Sequence, residues 1–138
     1  MQQLTSVRLP AILDNVPLTM DTVIGAVSRL GLDERTLQQI RLVVDEACAN
    51  VVTHAYEGME PGDMEIACYH DPGWLVISVR DWGQGFSLEQ IPAPDLDAPL
   101  EDRSLGGLGL FLVRHFMDRV EYSCDAGRGN ELTMVKRL

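Results

Sequence analysis

Residues 74–81, WLVISVRD, alternate in character from one position to the next. Leu75, Ile77, Val79 and Asp81 fall on one side of a β-strand, and Val76, Ser78 and Arg80 on the other. A second strand-like run, MEIACYH (64–70), precedes it, and the turn DPG between the two makes an antiparallel hairpin. The hairpin has one odd feature. Its apolar side ends in a carboxylate, Asp81, followed at once by a Trp and, two positions apart, the glycines Gly83 and Gly85. Taken alone, this segment also reads as a polar hairpin turn.

The elements around it come in a definite order. LTSVRLPA near the start alternates enough to be a first strand, and a helix is expected over about 17–30 with Gly31 as its stop. The longest helix follows. Asp33 is its expected N-cap, and Leu37, Ile40, Val44, Ala47, Val51 and Ala55 recur at intervals of three and four. After the hairpin, residues 87–105 are Pro-rich, acidic and without regular pattern, which within a small domain suits an active-site lid. GGLGLFLVRHFMD then opens a helix through a tight glycine turn, and RVEYSCDAGRGNELTMVKRL closes the chain as two more strands. Strand, two helices, hairpin, loop, helix and hairpin suit an α+β, two-layer sandwich: a largely antiparallel, mixed sheet with helices on one face, forming one domain over 1–138.

Composition removes several functions. A formal charge of −10 with a single lysine, Lys136, argues against broad nucleic-acid binding, and GxxxxGK[ST] is absent, so this is no P-loop protein. No apolar run is long enough for a membrane helix, and the opening MQQLTSVRLPAILDN has neither a basic n-region nor a long apolar h-region. Cys48, Cys68 and Cys124 are scattered without a CxxC pair, which suits reduced thiols, and a cytoplasmic protein is expected.

Five places can carry chemistry. On the long helix Glu46, Asn50 and His54 are spaced by four and line one stripe. An Asn oxygen suits a Mg2+ that keeps most of its waters, and a Glu one turn away can orient or deprotonate an attacking hydroxyl. The same stripe also fits the polar border of an amphipathic helix, and His54 reads as structural. Asp81, behind three aliphatic side chains, is costly unless hydrogen-bond donors reach it. The exocyclic amine of adenine would serve, with the aliphatics against its ring and Gly83 and Gly85 letting the backbone pass close to a flat ligand. Gly106, Gly107 and Gly109 bare the backbone N–H groups at a helix N-terminus, an arrangement that binds anions but that helix packing also explains. Arg103, the one basic residue in the acidic loop, reads as a phosphate contact or a surface arginine. Thr133 in the last strand is either an assistant to Asp81 or a residue chosen for strand propensity.

In this order the residues resemble the GHKL, or Bergerat-fold, ATPase superfamily: DEACANVVTHAY around residues 46–54 is similar to its N box, DWGQG to its G1 box and GGLG to its G2 box. The length most resembles the anti-sigma-factor serine/threonine protein kinases. The resemblance implies ATP and Mg2+ as cofactors, with Glu46 as catalytic base and Asn50 as the metal ligand. It makes Asp81 the adenine reader with Thr133 assisting, Gly107 and Gly109 parts of a phosphate cradle, and Gly83, Gly85, Gly106 and Leu108 further nucleotide-binding positions. Arg103 would lie in an ATP lid over about 86–105. It also implies phosphorylation of a Ser or Thr on a small STAS-type anti-anti-sigma protein, sequestration of a sigma factor, and a homodimer formed through the first strand and helix. The alternative is a nucleotide-gated binding module without kinase activity.

Overall fold

The hairpin is the centre of the molecule. β2 (Asp63–Asp71) and β3 (Trp74–Asp81) pair antiparallel, with Asp71 opposite Trp74 and Met64 opposite Asp81. The computed structural model describes residues 1–85, 105–125 and 127–138, with backbone alone for 105–110. β1 (Gln2–Pro10) lies beside β2, β5 (Gly129–Arg137) beside β3, and β4 (Arg119–Asp125) beyond β5, giving the order β1-β2-β3-β5-β4. All four pairings are antiparallel, and no parallel pair accompanies them among the described residues.

The helices are α1 (Val16–Val27), α2 (Glu34–Asn50) and α3 (Leu105–Phe116). The first is flanked by 3-10 turns, Leu13–Asn15 before it and Ser28–Leu30 after it. The α2 cap is the expected one: Asp33 Oδ1 accepts the Thr36 N–H at 2.8 Å, satisfying a donor that the first helical turn leaves without a partner. At its far end α2 does not run on regularly to Ala55. Residues Val51–Ala55 form a π-helical turn, a local widening often found at functional sites.

One face of the sheet is apolar, and all three helices cover it. The register places Met64, Ile66 and Cys68, then Leu75, Ile77 and Val79, then Leu132 and Met134 on that face. They are buried in one cluster with Val23 and Val27 of α1, Ile40, Val43, Val44 and Ala47 of α2, and Val113 of α3. Burying each of the Val, Leu, Ile and Met side chains among them stabilises the fold by roughly 1.5–3 kcal/mol. The opposite face explains the alternation. Arg8, Glu65, Arg80 and Glu131 stand in one row across four strands with signs alternating, and Arg80 Nη2 donates to Glu131 Oε2 at 2.6 Å.

The chain's single lysine fastens α3 to the sheet. Lys136 Nζ donates to the Phe116 carbonyl at 2.8 Å, a cation at the negative end of the helix dipole. Next to it the Asp118 N–H donates to the Val135 carbonyl, and Asp118 Oδ2 accepts the Arg137 N–H at 2.7 Å. No helix among the described residues is long and apolar enough to cross a membrane.

Candidate functional site

Asp81 lies where the alternation puts it. It is the last residue of β3, on the helix side of the sheet and 5% exposed. Its Oδ1 accepts two hydrogen bonds, from the Gly83 N–H and from Asn130 Nδ2, each at 2.9 Å. Among the described residues both contacts go to Oδ1 and none to Oδ2. Buried carboxylates are stable only with donors on them. Here the protein supplies donors to one oxygen, and the chemistry of the other suits one more donor, such as an amine N–H of a purine.

The loop 82–85 is held by four contacts that account for its sequence. Trp82 turns to the polar side of the sheet, where the Arg8 guanidinium lies 4.1 Å from its ring centroid. Its backbone N–H donates to Tyr56 Oη at 3.0 Å, and that hydroxyl in turn donates to the Asp63 carbonyl at 2.5 Å. The Gln84 N–H donates to the Ala55 carbonyl at 2.7 Å, and Gln84 Nε2 donates to the His54 carbonyl at 3.1 Å. The π-turn at the end of α2 is thus the anchor for the loop that follows β3.

The glycines serve this docking. A Cβ at Gly83 would lie 1.9 Å from the Ala55 carbonyl oxygen, and one at Gly85 2.5 Å from Cys124 Sγ. What forbids a side chain at Gly83 is the backbone at the α2 end, whereas at Gly85 the crowding comes from the Cys124 side chain of β4, which would have to turn aside. The sequence expectation assigned the need for glycine to a ligand, and the structure supplies a different reason.

Glu46 is half-buried on α2, and burial, followed by the neighbouring charge of Asp45, raises its carboxyl pKa above the ordinary value. A raised value makes a better proton acceptor near neutral pH. Asn50, also half-buried, is the last α-helical residue before the π-turn. His54 leaves their stripe: it is exposed within the wider turn, with Nδ1 3.7 Å from Glu57 Oε2. Gly106, Gly107, Leu108 and Gly109 form the opening turns of α3, which packs along α2, so their backbone lies at a helix N-terminal end as expected. Arg103 and positions 86–104 of the expected lid lie outside the described residues.

Thr133 is not beside Asp81. It pairs with Ser78 on the polar face of the sheet, and its hydroxyl is 3.4 Å from Glu131 Oε1. The residue opposite Asp81 is Asn130, 6% exposed, whose Nδ2 donates both to Asp81 Oδ1 and, at 2.9 Å, to the Gly83 carbonyl. A signal for it was present in NELTMV: Leu132 and Met134 are the apolar alternation, and Asn130 shares their parity while Thr133 does not.

With this geometry in place the comparisons are specific. A family model described as a histidine kinase-like ATPase domain matches residues 9–136. The serine-protein kinase RsbW of Halalkalibacterium halodurans is 37% identical over 123 residues, 86% of this chain and 75% of that protein. RsbW of Listeria monocytogenes is 34% identical over 128 residues, 88% of this chain and 80% of that protein. RsbW of Bacillus pumilus is 34% identical over 132 residues, 90% and 80% of the two chains. Among solved structures, the crystal structure of the RsbU and RsbW domains of a Mycobacterium tuberculosis protein matches with a TM-score of 0.67 at 17% identity. That match covers 97% of this chain and 32% of the other, so this chain spans about a third of that structure, and the likeness is one of fold. Since the family match runs from β1 to β5 and takes in Glu46, Asp81 and Asn130 alike, the chain belongs to the family of histidine kinase-like ATPase domains.

Proposed function

We propose that the chain is an ATP-dependent serine/threonine protein kinase of the anti-sigma type, acting on a small STAS-type anti-anti-sigma protein and sequestering a sigma factor. The observation that carries the reading is Asp81, a carboxylate buried on the helix side of the sheet with both described donors on one oxygen. The relatives named serine-protein kinase support the class of reaction.

In this reading ATP supplies the phosphoryl group and Mg2+ offsets its charge, which an acidic chain needs in order to hold a triphosphate. Asp81 accepts the amine of the base. The backbone N–H groups of the first turn of α3, from Gly106 to Gly109, face the phosphates, and Asn50 offers a neutral oxygen to the metal. Glu46 takes the proton of the attacking serine or threonine hydroxyl as the new O–P bond forms and the bond to ADP breaks; its raised pKa suits that task. Arg103 and the lid belong to the same proposal. So do a cytoplasmic location and a second copy of the chain docking through β1 and α1, where Leu18 of α1 is 56% exposed and Leu13, in the turn between the two elements, 69%.

The test is incubation with Mg-ATP and a small STAS-type substrate, followed by mass spectrometry for phosphoserine or phosphothreonine. Transfer by the wild type and none by Glu46→Ala, with nucleotide binding kept by the variant, is the expected result. Binding of nucleotide and partner with no phosphate on the partner would favour a gated binding module and overturn the kinase reading.

A further inference from the structure

The proposed reading makes Asp81 the acceptor of an amine, but a carboxylate has two oxygens and does not by itself choose among bases. Guanine presents adjacent N1–H and N2–H donors that match both oxygens of a carboxylate at once, whereas adenine offers one amine hydrogen beside a ring acceptor. A carboxylate turning about its Cβ–Cγ bond would accept either, since that torsion is soft. Discrimination requires something that stops it from turning and occupies one oxygen.

Asn130 does both. Its side-chain amide reaches across from β5 to two acceptors, Asp81 Oδ1 and the Gly83 carbonyl, at 2.9 Å each. Because both neighbours are acceptors, the amide atom between them must be the nitrogen, and its two hydrogens are both used. Oδ1 then receives this hydrogen and the Gly83 N–H, which fills its two lone-pair directions. The amide oxygen of Asn130 points the other way, 3.1 Å from where a Cβ on Gly85 would stand. All of this happens at a position 6% exposed, where an unmade hydrogen bond is costly.

Resting on the adenine reading of Asp81, we propose that Asn130 is the positioning residue that sets base specificity: by saturating and fixing Oδ1 it leaves the carboxylate a single acceptor, Oδ2. A purine that turns a single amine hydrogen toward the carboxylate then has that donor matched by Oδ2. A purine with a pair of N–H donors leaves the second buried and unmatched, the kind of mismatch by which binding sites discriminate strongly.

The experiment is calorimetric titration of the full chain with Mg-ATP and with Mg-GTP, in the wild type and in Asn130→Leu, which keeps the volume and removes the donors. The wild type should bind ATP at least about tenfold more tightly than GTP, and the variant should lose most of that ratio, ATP weakening while GTP weakens less or improves. A merely structural role would lower both affinities in parallel and keep the ratio, which overturns the proposal. Should the variant fail to fold, the wild type alone still decides against it if ATP and GTP bind equally. Heat from neither nucleotide would instead remove the reading of Asp81 on which the inference stands.

Discussion

Gly83 and Ala55, which are 28 positions apart in sequence, touch so closely that a methyl group on the first would sit 1.9 Å from the carbonyl oxygen of the second. That oxygen also receives the Gln84 N–H at 2.7 Å, so the end of α2 and the loop after β3 are one rigid corner. Gly83→Ala should therefore push the loop off the π-turn and cost about 2 kcal/mol or more, the scale of overpacking plus a lost buried hydrogen bond. Urea denaturation measures it, and nucleotide affinity should fall with it. An unchanged midpoint would mean that the corner yields.

Tyr56 carries the second tie in that corner. Its hydroxyl accepts from the Trp82 N–H and donates to the Asp63 carbonyl. Tyr56→Phe leaves the Trp82 N–H without this partner and should destabilise the chain by about 1–3 kcal/mol. The same denaturation experiment applies, with amide exchange of Trp82 as a local readout. Exchange that stays slow would show that another acceptor takes over.

How much of this was legible beforehand differs from residue to residue. The core-facing position of Asp81 follows from a two-residue period and needs no tertiary knowledge. The Asp33 cap and the boundaries of the central hairpin are local signals of the same kind. The partner of Asp81 was harder. Naming Thr133 required knowing which residue of the last strand stands opposite, and a shift of three positions reverses the face. The apolar parity of Leu132 and Met134 held that information, but the hydroxyl drew attention to the wrong parity. The π-turn leaves no mark in the sequence at all, because apolar residues at Val51 and Ala55 fit a regular α-helix equally well. It is a product of tertiary packing, and so is the need for glycine at 83.

Glu46 gives a prediction in pH. Its carboxyl is held above the ordinary value, mainly by burial and then by Asp45, so the folded chain binds that proton more tightly than the unfolded one. Its contribution to stability is accordingly present below the ordinary value of 4.5 and lost as pH rises through the folded value. Glu46→Gln removes an ionisation that opposes folding at neutral pH. The variant should melt higher than the wild type at pH 8, and the advantage should vanish as the pH falls below 4.5. A difference that does not vary with pH would place the effect elsewhere.

The thiols separate by burial. Cys48 and Cys68 are buried, and desolvation pushes both up to about 12, whereas Cys124 is exposed. At pH 8 only roughly one in ten thousand of each buried thiol is thiolate, the reactive form. Iodoacetamide on the native chain should label Cys124 alone, with Cys48 and Cys68 reacting only in denaturant, as read by peptide mass spectrometry. Since Cys124 Sγ packs where a Cβ on Gly85 would be, saturating ATP should slow that labelling if the base lies where we propose. Fast labelling of Cys48 in the native chain would contradict the packing.

The tether from Lys136 to the end of α3 has a practical side. With one ε-amine in the chain, and that one engaged at 2.8 Å with a helix carbonyl, reagents that seek primary amines have little to seize. Mapping how this chain meets its partners will accordingly depend on reagents that couple carboxyl groups or aromatic rings. Any cellular tag written on lysine would have to loosen the third helix before it could be attached.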